Sequence, residues 1–386
     1  MHADEHESAL RLPAWVEVES DAGVEPASFR VPPKPPQRFR PAPSEPRPLQ
    51  SELVESDLAL SVRQLEYAAS EACGEHALTR VIERFQTTRK GLNRTGDRKL
   101  VSRTDRVGSW ALHARGRARS ERGELSKSVA DYRAAVRIDP GNLAAWHDLG
   151  VTLADRGDHA EALSAFDAAL NRSPNSTEAL RNRAALLIRL GEAERGVVDC
   201  DRALKHLPAG SSDRTAVLRL RGTALHGAGR LREAARDFDA VLGRHPDDIG
   251  TRVARAHVFA EAGFYEQAIQ DYATALQADP SLGEAYRSLA WVLATCPETR
   301  LRDPETAIEA AWRARRLLGD NDRRTLDASA AAHASAGEFG EAIRFQQRLL
   351  MQLQDSDDIV VAAAENRLEA YRANRPYVAS RATAKR

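Results

Sequence analysis

The chain has 386 residues, 42% of them hydrophobic and only 5% aromatic, and its 56 Lys and Arg balance 56 Asp and Glu to a formal charge of zero. That is the composition of a soluble, folding protein, and a chain rich in alanine and arginine but poor in rings builds helices more readily than sheets. It excludes a membrane span, since no apolar run reaches the roughly eighteen residues such a helix needs, and MHADEHESALRLPAWVEVES lacks the basic-then-apolar order of a secretory signal.

Ten of the eighteen prolines fall within residues 1–50, clustered in VPPKPPQRFRPAPSEPRP. Missing amide donors and the restriction on pre-proline residues block both helix and central strand there, so 1–50 is expected to be a disordered Pro-rich arm. Its first part is acidic (Asp4, Glu5, Glu7, Glu17, Glu19, Asp21, Glu25) and its second basic (Arg30, Lys34, Arg38, Arg40, Arg47). The spacing of Pro32 and Pro35 fits a polyproline ligand; the plainer reading is a semi-rigid spacer. Residues 51–108 read as a helical cap and linker. Within them, SELVESDLALSVRQLEYAASEA and EHALTRVIERFQTTRKGL carry apolar residues at helical spacing, which predicts two helices.

Internal repetition dominates the remainder. Pro140, Pro174, Pro208, Pro246 and Pro280 are separated by 34, 34, 38 and 34 residues. Alignment on them gives five units: 109–142, 143–176, 177–210, then, after a short insertion, 215–248 and 249–282. A glycine divides each unit into two helical halves (Gly123, Gly157, Gly191, Gly229, Gly263). Units 283–320 and 323–356 are degenerate. The first of these lengthens its central turn with CPETRLRDP, and the second keeps Gly337 as its divider. Residues 357–386 begin as a helix, which Pro376 ends, and finish as a tail.

Four columns recur. The eighth position is small (Gly116, Gly150, Ala184, Gly222, Ala256), the twentieth is usually alanine (Ala162, Ala234, Ala268), the twenty-fourth is usually a ring (Tyr132, Phe166, Phe238, Tyr272), and the thirty-second is proline. Small residues at the first two let paired helices approach, and the ring fills the space beside them. This pattern resembles the tetratricopeptide repeat, with departures at Ser128, Gly196 and Cys200. In addition, LAWVLATCP, RDPETAIEAA, LDASAAAHASAGEFGEAI and RLEAYRANRPY together resemble a bacterial family of repeat proteins sharing this C-terminal arrangement. The generic resemblance covers about residues 109 to 280 and the family-level one about 109 to 378. Both imply an all-α, right-handed superhelical solenoid of hairpins serving as a scaffold, with no activity attached.

Two columns switch together. Position seven is arginine in four units (Arg115, Arg183, Arg221, Arg255), and the same four have aspartate at position twenty-three (Asp131, Asp199, Asp237, Asp271). The other three carry Leu149, Leu289 and Ser329 with Ala165, Ala310 and Phe345. Since the two positions lie on different helices of one hairpin, an inter-helix Arg–Asp pair is expected in each of the four, bidentate in geometry. The alternative is chance arrangement of ordinary surface charge.

The resemblance places positions two, five, nine and twelve of each first helix on a concave face. These positions hold Trp110, His113, Arg117, His147, Arg181, Arg219, His226, His257, Arg287 and Trp291 among small residues such as Ala144, Ala185 and Ala260. A basic groove is therefore expected, suited to an acidic or C-terminal peptide that guanidinium groups grip through carboxylates and rings cover by stacking. The alternative is solvated charge on a helix face. The lysine and asparagine clamp of chaperone-binding members has no counterpart at matching positions.

No HExxH, GxGxxG, GxxxxGK[ST] or GxSxG is present, so neither a metal nor a cofactor nor catalysis is expected. Cys73, Cys200 and Cys296 are odd in number, far apart and form no CxxC, which argues against a disulfide framework and for a reducing cytoplasm. Arginine outnumbers lysine 50 to 6, the mark of a GC-rich, bacterial genome. Between residues 80 and 122 thirteen Lys and Arg face four Asp and Glu, which could pair with phosphates; without base-stacking aromatics, nucleic acid is the lesser expectation. A non-catalytic scaffold for a protein or peptide is the leading one.

Overall fold

The computed structural model describes residues 57–93, 97–353 and 358–379; the expected arm at 1–50 lies outside them. Every regular element among the described residues is helical. They form two compact units, one ending at Ala209 and one beginning at Gly210.

In the first unit, α1 (Asp57–Glu71) and α2 (Glu75–Leu92) pack on α3 (Arg98–Glu121). Hairpins follow: α3 with α4 (Leu125–Ile138), α5 (Leu143–Arg156) with α6 (His159–Arg172), and α7 (Thr177–Arg189) with α8 (Ala193–Leu204). Helix α3 starts at Arg98, well before the repeat pattern begins at Ser109. Its extra turns lie against α2, where a Cβ on Gly108 would stand 2.5 Å from the Phe85 ring.

The second unit continues the same plan. Its hairpins are α9 (Ser212–Gly227) with α10 (Leu231–Leu242), α11 (Ile249–Ala262) with α12 (Tyr265–Ala278), α13 (Gly283–Thr295) with α14 (Pro304–Leu318), and α15 (Arg323–Ser335) with α16 (Phe339–Gln352). Helix α17 (Asp358–Arg372) closes the stack against α16. The long turn of the sixth hairpin contains a short 3-10 turn, Thr299–Leu301. Within each unit, successive first helices also touch. Each unit is thus an all-α solenoid of helical hairpins.

Local chemistry sets these boundaries. The residue closing one hairpin caps the next: Asn142, Ser176, Asp248 and Asp322 accept from the backbone amides of Ala145, Ala179, Thr251 and Thr325. Each satisfies an amide that the first helical turn leaves without a partner. Within the hairpins, Gly157 adopts φ 94° and Asp158 N donates to Leu153 O at 2.9 Å, a turn that a side chain would strain.

The repeat columns then build the core. Tyr132, Phe166, Phe238 and Tyr272 are almost completely buried. The first three of these rings occupy the space a side chain would take at position eight: a Cβ on Gly116, Gly150 or Gly222 would lie 2.7, 2.7 or 2.6 Å from the facing ring. No helix among the described residues is long and apolar enough to cross a membrane.

Candidate functional site on the first helices

Each Arg at position seven meets the Asp at position twenty-three of its own hairpin. Nε and Nη2 reach the two carboxylate oxygens at 2.9 and 2.7 Å for Arg115 and Asp131, and at 2.7 and 2.6 Å for Arg183 and Asp199. For Arg221 and Asp237 both distances are 2.7 Å, and for Arg255 and Asp271 both are 2.8 Å. All four aspartates are buried while the arginines keep partial exposure. Position twenty-five adds a partner absent from the sequence reading. Arg183 Nη1 reaches Asp167 of the preceding hairpin, and Arg255 Nη1 reaches Asp239 at 2.7 Å. The signal was available, since both acids follow the buried ring by one residue. A cleft of about 340 Å³ beside the first of these is lined by Asp167, Arg183 and Asp199, whose charges are engaged in this bracket, and by Arg195, which pairs with Glu192.

Four residues expected on the groove, His113, His147, His226 and Arg287, make a second set of contacts. His113 Nε2 stands 2.8 Å from Asp148 Oδ2, and His147 Nδ1 stands 2.9 Å from the other oxygen. Asn182 Nδ2 is 2.6 Å from His147 Nε2. His226 meets Glu261 at 3.0 Å and Arg287 meets Asp322 at 3.5 Å. In three of these contacts (His113 with Asp148, His147 with Asn182, His226 with Glu261) the partners are 35 residues apart, one repeat plus one position; Asp322 is also 35 residues beyond Arg287, but the sixth hairpin is longer and Asp322 is the N-cap of α15. Helical rise explains the offset: the position following a given one in the next first helix is turned back toward its predecessor. His257 deviates, with Nε2 at 3.2 Å from Ser288 Oγ.

Electrostatics follow the contacts. Burial would raise the Asp148 carboxyl, but hydrogen bonds from His113 and His147 and the charge of those rings outweigh it and hold the group well below the ordinary carboxylate range. Glu261 is lowered, chiefly by its hydrogen bond from His226. Burial lowers His257, with His226 adding to the effect. The expected basic character is therefore partly neutralised by acids on the neighbouring first helix, which the choice of groove positions two, five, nine and twelve did not include.

The other expected residues are more varied. Arg117 is 3.9 Å from Asp148, and Arg219 is 47% exposed and 3.4 Å from Asp248. Arg181 is half-buried on α7, and Trp110 lies half-buried against the core. Trp291 is packed by Tyr377, with ring centroids 5.8 Å apart. In the basic stretch of 80–122, Arg89 pairs with Asp105 at 2.5 Å, Arg103 with Glu66 at 2.6 Å, and Arg119 with both Glu75 and Asp131 at 2.9 Å. Exposed Arg80, Arg84, Arg98 and Arg106 remain on its surface. Among the described residues no group of three or more His, Cys, Asp or Glu is arranged to hold a metal.

Residues 113–177, 147–214 and 253–295 match the tetratricopeptide repeat family. Among solved structures, the chain is similar to a tetratricopeptide repeat protein from Parabacteroides merdae, with TM-score 0.53 and 18% identity over 68% of this chain and 98% of that one. It is also similar to yeast Tom70, with TM-score 0.42 and 14% identity over 87% of this chain and 67% of that one. A third is YrrB, described as a tetratricopeptide repeat protein with an unusual peptide-binding site, with TM-score 0.41 and 17% identity over 51% and 96%. No curated protein matches the chain. The matched segments are tetratricopeptide repeats, and the fold is the solenoid those repeats build.

Proposed function

We propose that this chain is a non-catalytic scaffold that holds a protein or peptide partner of acidic character along the faces of its first helices. The observation that carries the reading is the donor capacity Arg219 has to spare. Nearly half of its side chain is exposed, and Nη1 meets Asp248 at a long 3.4 Å, whereas a guanidinium has five N–H donors in a fork that suits a carboxylate. Arg117, a second arginine expected on these faces, stands 3.9 Å from Asp148. Repeat solenoids in general present extended surfaces of this kind. Three free thiols, Cys73, Cys200 and Cys296, suit a reducing compartment such as the cytoplasm.

Affinity capture with the full chain, with and without nuclease, tests this against Arg219→Glu and Arg117→Glu. Protein partners that survive nuclease and are lost from the charge-reversed variants are expected. Partners that vanish on nuclease treatment sink the reading.

A further inference from the structure

The last described segment turns back onto the second unit. Two residues past the end of α17, Asn374 takes φ 54°, and Arg375 N donates to Ala370 O at 2.9 Å, the six-to-one closure that reverses a chain at a helix end. Asparagine is one of the few side chains that tolerate this left-handed conformation. Pro376 follows and blocks resumption of the helix. Residues 375–379 then run as a non-helical segment back to α13.

Two contacts hold that segment. Ala379 N donates to Thr295 O at 2.8 Å, and the Tyr377 ring tilts at 40° against Trp291. From α17 the Arg367 guanidinium lies 5.8 Å from the Trp291 centroid and 5.6 Å from that of Tyr377. It is fixed in turn by Asp327 of α15, with Nε to Oδ1 and Nη2 to Oδ2 both at 2.9 Å. Helices α13, α15 and α17 thus each supply one side chain to a seat for a single ring.

The segment behaves as an occupant more than as core. Tyr371, only six residues earlier, is completely buried, whereas Tyr377 is half-buried with Pro376 and Val378 exposed on either side. One main-chain hydrogen bond for register and one anchoring ring are the contacts by which short peptides are recognised. Trp291, moreover, holds position nine of its first helix, one of the positions the repeat pattern assigns to the groove.

We propose that residues 375–379 occupy, in cis, a peptide site formed by Trp291, Thr295 and Arg367, and that this site accepts in trans a short non-helical segment presenting an aromatic ring, in competition with the tail. This rests on the reading that first-helix faces receive peptides. The tail is tethered through two residues, so its effective concentration is on the order of mM; a peptide with an intrinsic Kd of about 100 µM is then weakened about tenfold.

A labelled peptide spanning residues 373–379, titrated by fluorescence anisotropy, tests the site. It is expected to bind full-length Tyr377→Ala about tenfold more tightly than the unmodified chain. Tyr377→Phe, which keeps the ring, should bind as the unmodified chain does, and adding Trp291→Ala to Tyr377→Ala should abolish binding. Ala379→Pro removes the hydrogen-bond donor and restricts Val378 while leaving the Tyr377 ring in place, and should tighten binding in the same direction, which covers the case in which Tyr377→Ala unfolds. No tightening in either variant overturns the inference. If capture through Arg219 persists while the tail peptide fails, only this inference falls; if both fail, the groove reading falls with it.

Discussion

Arg183 joins two hairpins at once, closing on Asp199 through Nε and Nη2 at 2.7 and 2.6 Å while Nη1 reaches back to Asp167. Arg255 does the same with Asp271 and Asp239. A guanidinium is rigid and planar, so fixing one edge within a hairpin dictates where the neighbouring hairpin must present its acid. In these two hairpins one side chain therefore ties the pairing within a hairpin to the position of the one before it.

Removing a single partner of such a pair leaves a charge without compensation. Asp237→Ala should destabilise by about 3 kcal/mol, whereas Arg221→Leu with Asp237→Ala should cost about 1 kcal/mol or less. The second hairpin is a natural precedent, since buried Leu149 and Ala165 stand where other units carry the ions. Denaturant unfolding of both singles and the double variant gives the cycle; an unchanged midpoint in Asp237→Ala refutes the assignment.

The position-eight glycines make an opposite demand. Gly150→Ala would set a methyl 2.7 Å from Phe166 Cε1, and such overpacking costs about 1–3 kcal/mol. Phe166→Leu in the same background should recover part of the loss, because the clash is with the ring. Thermal melts of the single and double variants decide it, and equal melting of Gly150→Ala and the unmodified chain would contradict the close approach.

Acidification should weaken the second unit through His257. Burial lowers its pKa from the ordinary value, helped by His226 and Arg287 and opposed by Glu284 and Glu261. Between the two values the unfolded chain binds more protons, so the contribution to stability is complete above about pH 6.5 and is lost as pH falls below it. His257→Gln should flatten this part of the profile. Melting midpoints between about pH 7.5 and about pH 5 measure the slope, and an identical slope in the variant would exclude His257 as its source.

Asp322 caps α15, accepting from Thr325 N at 2.8 Å, and also meets Arg287 at 3.5 Å. Asp322→Ala should cost about 1–2 kcal/mol, while Asp322→Asn keeps the cap and should cost less. Hydrogen exchange of the first α15 amides reads the cap directly; protection unchanged in the alanine variant would show that it contributes nothing.

Much of this was legible in one chain because repetition supplies its own comparison. Small residues at position eight facing a ring at twenty-four, and the joint switching of positions seven and twenty-three, appear as columns. Contacts between hairpins were harder to read. Asp167 and Asp239 sit one residue past the ring, and their role depends on how far one hairpin is offset from the next. The His113, Asp148 and His147 chain was missed for a related reason: its carboxylate comes from position six, which turns toward the preceding helix. The sequence shows Trp291 as a groove residue without its cover, because nothing local ties Tyr377 to a helix almost ninety residues earlier. Only the reversal at Asn374 and Pro376 brings them together.

The offset of one repeat plus one position carries a final consequence. His113 has its mate only if Asp148 comes next, and His226 only if Glu261 does. Transposing two hairpins would preserve every ring and every small residue while mismatching the side chains that link successive members. The building blocks share a shape without being interchangeable, and their order along the chain is written into the molecule by polar keys.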